Sequence, residues 1–106
     1  MLKIPLKQVP SQKFRVVLDG QNCTIKLYYR FGNTYMDLVV GDNVVINGAV
    51  CRNRSSVVNV ANHIFAGALY FLDLLGDSDP DYKLFNDRYI LLYVSASERT
   101  PGGLLA

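Results

Sequence analysis

The chain has 106 residues, half of them apolar and 19% charged, with a formal net charge of +2. This is enough for one modest core, too apolar for an intrinsically disordered chain, and too weakly basic to suggest a nucleic-acid surface. We therefore expect one β domain over residues 1–106, with an extended arm at 1–10 and a flexible tail at 95–106.

The longest apolar run, Ala61 to Leu75, is interrupted by Asn62, His63 and Asp73. It falls short of a membrane span, and no membrane contact is expected. The opening MLKIPLKQVP lacks the long apolar stretch of a secretory signal, so the expectation is synthesis in a cytoplasm. In that compartment Cys23 and Cys51 read as free, mostly buried thiols, and their spacing excludes a CxxC motif.

In the arm, Pro5 and Pro10 each remove a ladder donor, so the segment is an edge strand or an extended arm. Leu2, Ile4 and Leu6 alternate with Lys3, Pro5 and Lys7, which fits one buried face. An arm this apolar must rest on its own domain or on a neighbour. Gln12 to Leu18 is the first secure strand, with Phe14, Val16 and Leu18 on one side and Lys13, Arg15 and Val17 on the other. Asp19-Gly20 supplies a tight hairpin turn. In the returning strand Cys23, Ile25, Leu27 and Tyr29 face inward, while Asn22, Thr24, Lys26, Tyr28 and Arg30 face outward.

A turn at Gly32-Asn33 leads to a third strand over Thr34 to Val40. Gly41-Asp42-Asn43 turns again into a fourth, Val44 to Val50. Such spacing suggests a small barrel or sandwich built from antiparallel hairpins. Residues 51–66 are ambiguous. Val57, Val60, Ile64 and Ala68 have helical spacing, but Gly67 opposes a long helix, so a short irregular or helical stretch to about Ala66 is expected. A buried strand follows from Ala68 to Leu75, then a polar loop. RYILLYV, Arg88 to Val94, is the last strand and a partner for Ala68–Leu75. The fold class is therefore all-β, a small barrel or sandwich of about six strands.

Groups able to carry chemistry are few. Asp77, Asp79 and Asp81 have the spacing that opens a calcium loop, but Tyr82 stands where that loop needs glycine and Arg88 where it needs glutamate. The triad reads as a solvated acidic turn. His63 has no motif partner, and Ser55 and Ser56 lack a nucleophile-elbow context. Arg52 and Arg54 are placed to lower the pKa of Cys51, yet no second group completes a catalytic pair. No catalytic residue, cofactor or metal is expected. Lys3, Lys7, Lys13 and Arg15 make the start of the chain locally basic. Of the seven tyrosines, Tyr28 and Tyr89 are expected to face outward, where an amphipathic ring suits a protein interface or a ligand platform. The residues alone thus leave open an assembly part, a small β module that binds carbohydrate or nucleic acid through its tyrosines, and an enzyme.

The order of motifs resembles the small baseplate plug proteins of contractile-tailed bacteriophages. Ile4-Pro5-Leu6, Pro10, Gln12 and Phe14, Leu18-Asp19-Gly20, and Tyr35-Met36-Asp37-Leu38 stand where that family has its Ile-Pro-Leu arm, Pro-x-Gln-x-Phe strand, Leu-Asp-Gly turn and Trp/Tyr-x-Asp-Leu strand. GALYFLDL (Gly67 to Leu74) and DRYILLYV (Asp87 to Val94) continue the likeness, which covers residues 4 to 94. VCRNRSSV replaces the family's usual Val-Pro-Gly turn after Val50, and PGGLLA has no counterpart. The resemblance implies a virion part in the central baseplate near the hub and tube end, present in several symmetry-related copies. Its partners would be other tail proteins, such as hub, spike, tube or wedge subunits, and it would be made in the host bacterial cytoplasm. Nucleic acid is not an expected partner. Expected contact residues are Leu2, Ile4, Leu6 and Tyr28, with Lys3, Lys7 and Arg15 setting register against an acidic neighbour.

Overall fold

The computed structural model describes residues 2–57 and 65–95. Seven strands follow in chain order: β1 (Leu2–Ile4), β2 (Ser11–Leu18), β3 (Gln21–Arg30), β4 (Asn33–Val40), β5 (Asn43–Val50), β6 (Ala68–Asp73) and β7 (Tyr89–Val94). They form two antiparallel sheets, ordered β2-β3-β4-β5 and β1-β7-β6. No strand pairing joins the sheets among the described residues, so the domain is a sandwich and not a closed barrel. The strand beyond the expected six is β1, contributed by the arm.

The larger sheet is a meander of tight hairpins. Asp19-Gly20 and Phe31-Gly32 both have positive φ at each central residue, 50° and 75°, then 50° and 80°. That backbone twist matches the right-handed twist of the flanking strands. The second turn therefore sits one residue earlier than the sequence suggests. Glycine takes the second central position, as in the first turn, and Asn33 is released to open β4.

Period-two alternation sorts this sheet into two faces. Cys23, Ile25, Leu27, Met36, Leu38 and Ile46 are buried on the inner face, with Phe14 and Val16 packed partly against them. Leu18, at the end of β2, joins the same core. Burying a residue such as Leu38 contributes about 1.5–3 kcal/mol. Tyr29 keeps the expected inner face but stands at its rim. It is only half-buried and meets Tyr82 edge to face, with ring centres 5.2 Å apart.

The smaller sheet obeys a different rule. Every residue of β7 is buried, from Tyr89 to Val94. Leu69, Phe71, Tyr89, Leu91 and Tyr93 belong to the main core, while Ala68, Tyr70 and Val94 form a second cluster on the opposite face. Tyr89, expected to face outward, is buried beside Arg88, whose guanidinium lies 5.2 Å from the ring centre. Alternation reports exposure only for a strand with one wet face, and β7 has none.

The arm rests on its own domain. Leu2, Lys3 and Ile4 pair with Tyr93, Leu92 and Leu91. Ile4 and Leu6 enter the core. Leu6 N–H donates to Asn86 Oδ1 at 3.1 Å, and Asn86 Nδ2 donates back to the Leu6 carbonyl. Gln8 Nε2 donates to the Phe85 carbonyl and to Asp87 Oδ2, both at 2.9 Å.

After β5 the chain runs irregularly along the outer edge of β6. Asn53 and Ser56 make isolated bridges to Phe71 and Tyr70, and Val57 N–H donates to the Leu69 carbonyl at 3.0 Å. The helical alternative for this stretch falls mostly on residues 58–64, outside the described residues, as does His63. All but Ser95 of the expected flexible tail also lies outside them.

One ion pair organises the loop between β6 and β7. Asp73 is fully buried at its side chain and accepts from Arg88 Nε at 2.8 Å and Arg88 Nη2 at 2.9 Å. It also accepts from the backbone N–H groups of Leu75 and Ser78. The Arg88 bonds, reinforced by those two amides, hold its carboxyl well below the usual carboxylate range. A folded-state pKa below the unfolded one stabilises the fold fully above about pH 4, and that contribution drains away as pH falls further. Denaturant melts between about pH 2 and pH 6 should show a steep acid loss of stability. Asp73→Asn should be less stable near neutrality and lose distinctly less stability on acidification.

Candidate interaction surface

The residues with chemical potential are committed to structure. Asp79 accepts from Arg52 Nη1 at 2.8 Å and from Asn53 N–H at 3.0 Å. Asp81 caps the 3-10 turn at Tyr82–Leu84 by accepting from Lys83 N–H. Asp79 and Asp81 thus serve separate tasks, and no group of metal-binding side chains gathers among the described residues. Cys23 and Cys51 are free and buried. Burial pushes the Cys51 thiol up to about 12, opposite to the lowering that Arg52 and Arg54 could supply. Cys23 is also pushed up by burial. Burial likewise raises Tyr93, helped by Asp19, whose Oδ2 lies 2.7 Å from the phenol oxygen.

What the domain displays is the outer face of β2-β3-β4-β5. Register places Ser11, Tyr28, Tyr35 and Val50 in one row, Lys13, Lys26 and Asp37 in a second, and Arg15, Thr24, Val39 and Val44 in a third. Tyr28 stacks on Tyr35 with ring centres 5.7 Å apart, and Lys26 and Arg30 lie 5.5 and 5.4 Å from the Tyr28 ring centre. Such cation–ring contacts at exposed sites contribute about 0.5–1 kcal/mol each. Desolvation and the neighbouring Asp37 carboxylate push the Tyr28 phenol up.

Asp37 builds this face. Its Oδ1 accepts from Gly48 N–H at 2.6 Å and from Tyr28 OH at 3.2 Å. Gly48 has φ +72°, within a register shift between β4 and β5. That bulge bends the β5 edge, and a Cβ at this position would meet the Tyr28 hydroxyl at 3.2 Å. Sequence reasoning missed this role. The available signal was a lone outward aspartate, the one charged residue of β4, facing a strand that contains a glycine.

Among the described residues this face gathers no group of metal-binding side chains. The sequence matches the family described as cyanophage baseplate Pam3 plug gp18 over residues 1–97. The chain belongs to this baseplate plug family. No curated protein matches it. Membership makes it a structural part of the virion tail baseplate, in contact with other baseplate and tail proteins.

The motifs that resemble the plug family have identifiable work in this chain. Leu18-Asp19-Gly20 closes the first hairpin, Asp37 braces Gly48 and Tyr28, and the Asp73–Arg88 pair joins the two last motifs. Among the expected contact residues, Ile4 and Leu6 fill the chain's own core. Leu2, Lys3, Lys7 and Arg15 are exposed, and Tyr28 is partly so. Leu2 and Lys3 lie at the β1 edge, and Arg15 and Tyr28 on the outer face of the larger sheet, so the structure does not bring these residues into one cluster.

Two outcomes follow from this geometry. Native protein at neutral pH should react with a thiol reagent at least about a hundredfold more slowly than unfolded protein, because both thiols are buried and protonated. Asp37→Ala should lower stability in urea by about 1–2 kcal/mol through the two lost bonds, and should alter the fluorescence of the Tyr28–Tyr35 pair.

Proposed function

We propose that the chain is a plug-like subunit of the central baseplate, near the hub and tube end, present in several symmetry-related copies. It holds neighbouring hub, spike, tube or wedge proteins through its sheet edges and the exposed part of its N-terminal arm. The carrying observation is the family match across nearly the whole chain. The surface supports it: an open sheet face with a stacked tyrosine pair and surrounding cations suits a protein partner. Because Ile4 and Leu6 are core residues, the arm's share of contact falls to Leu2, Lys3 and Lys7, with Arg15 and Tyr28 on the larger sheet. In this reading the protein acts as a fitted part and carries out no reaction of its own.

The test separates folding from assembly. Leu2→Ser with Lys3→Glu and Lys7→Glu changes exposed side chains only, so surface-substitution experience predicts a stability change within about 1 kcal/mol. Incorporation into particles, measured by mass spectrometry of purified tails, should fall at least roughly tenfold through lost steering and register. Full incorporation of this variant would remove the arm from the interface.

A further inference from the structure

The sandwich has four sheet edges, and they are not equivalent. The outer edge of β6 is bridged by Asn53 and Ser56. The edge of β1 is three residues long and ends at Pro5. The β5 edge is interrupted by two register shifts. The β2 edge runs for eight residues with no proline and no shift, and no described element pairs with it.

Register shows which main-chain groups this edge presents. Leu18 and Gln21 flank a two-residue turn, so they exchange hydrogen bonds, as do Val16 with Cys23, Phe14 with Ile25 and Gln12 with Leu27. The bond from Tyr29 N–H to the Pro10 carbonyl, 2.9 Å, continues the pattern. The N–H and C=O groups of Ser11, Lys13, Arg15 and Val17 therefore point away from β3. These are the groups that an added strand uses.

The side chains specify the occupant. Lys13 stands directly opposite Lys26 in a non-hydrogen-bonded pair, the closer of the two antiparallel arrangements. Like charges so placed are destabilising. Asp37, next in the row, has Oδ1 engaged by Gly48 and Tyr28. The ion pairs among the described residues are Arg52–Asp79 and Arg88–Asp73, so neither Lys13 nor Arg15 has a carboxylate partner there. On the other side of the strand, Phe14 and Val16 are only half-buried at the rim of the core. A second copy pairing antiparallel along β2, with Ser11 against Val17, would set Lys13 opposite Arg15 and Arg15 opposite Lys13.

We propose that the β2 edge receives an extended segment of a different baseplate protein as a fifth strand. That segment carries acidic residues opposite Lys13 and Arg15 and alternates them with apolar residues that cover Phe14 and Val16. This deepens the baseplate reading and rests on it.

The probe is an eight-residue peptide of alternating glutamate and valine, added to the full-length protein, with amide exchange read residue by residue. Exchange at Ser11, Lys13, Arg15 and Val17 should slow at least about tenfold. A lysine–valine peptide should give no protection, and roughly 0.5 M salt should weaken the effect. Lys13→Glu with Arg15→Glu should reverse the preference. Arg15→Pro removes an outward N–H that makes no bond to β3, so the fold should persist while protection is lost. No protection by the acidic peptide, protection by either peptide alike, or concentration-dependent protection of the isolated protein by its own copies would each overturn the proposal. Purified tails separate the two readings. If the protein is present there with these four amides exchanging as fast as in isolation, the strand-addition proposal fails and the baseplate role stands. If the protein is absent from the tails, the baseplate role fails.

Discussion

The structure depends on β7. This strand lies at the centre of the smaller sheet, buried on both faces, and takes β1 on one side and β6 on the other. It pairs Leu2 with Tyr93 and Ile4 with Leu91, residues from opposite ends of the described chain. Closing so long a loop carries an entropic penalty that only extensive burial can offset. Ile4, Leu91 and Phe71 supply that burial, and Asn86 and Gln8 fasten the connection beyond β1. With the arm held in place, the larger sheet has an apolar layer to pack on and an opposite face left open to water.

The domain is asymmetric as a result. In the smaller sheet β7 and most of β6 are buried on both faces, while the larger sheet is covered on one side only. Among the aspartates, Asp73 is buried in the loop between β6 and β7, while Asp79 and Asp81 bond to loop and cap groups nearer the surface. Lys13, Arg15, Lys26 and Arg30 stand on the outer face of the larger sheet, with Asp37 among them. The modest net charge of the chain conceals this local excess of cations, because carboxylates used within loops still count against them.

Within the family motifs, several polar residues act as braces. Asp37 fixes a bulge and a tyrosine, and Asp73 grips the arginine that opens β7. Both carboxylates satisfy backbone N–H groups as well as side chains, so their removal disturbs main-chain geometry together with charge. Asp79 and Asp81 show why chemistry-seeking patterns fail in this chain. An aspartate close to other acids looks like a ligand in one dimension, whereas Asp79 bonds to Arg52 and Asn53 and Asp81 caps the turn that follows it.

The sequence by itself determined the all-β class, the antiparallel hairpins, the outward placement of Tyr28 and Lys26, and the pairing of the last two strands. Alternation and turn chemistry are local properties, so neighbouring residues suffice to express them. Only the tertiary structure decided that Ile4 and Leu6 belong to the domain's own core, that Tyr89 is buried, and that Asp37 reaches Gly48. It also decided which edge the segment after β5 runs beside. Each of those outcomes depends on which layer lies over a strand and which segment runs beside it. A periodicity along the chain carries no information about either.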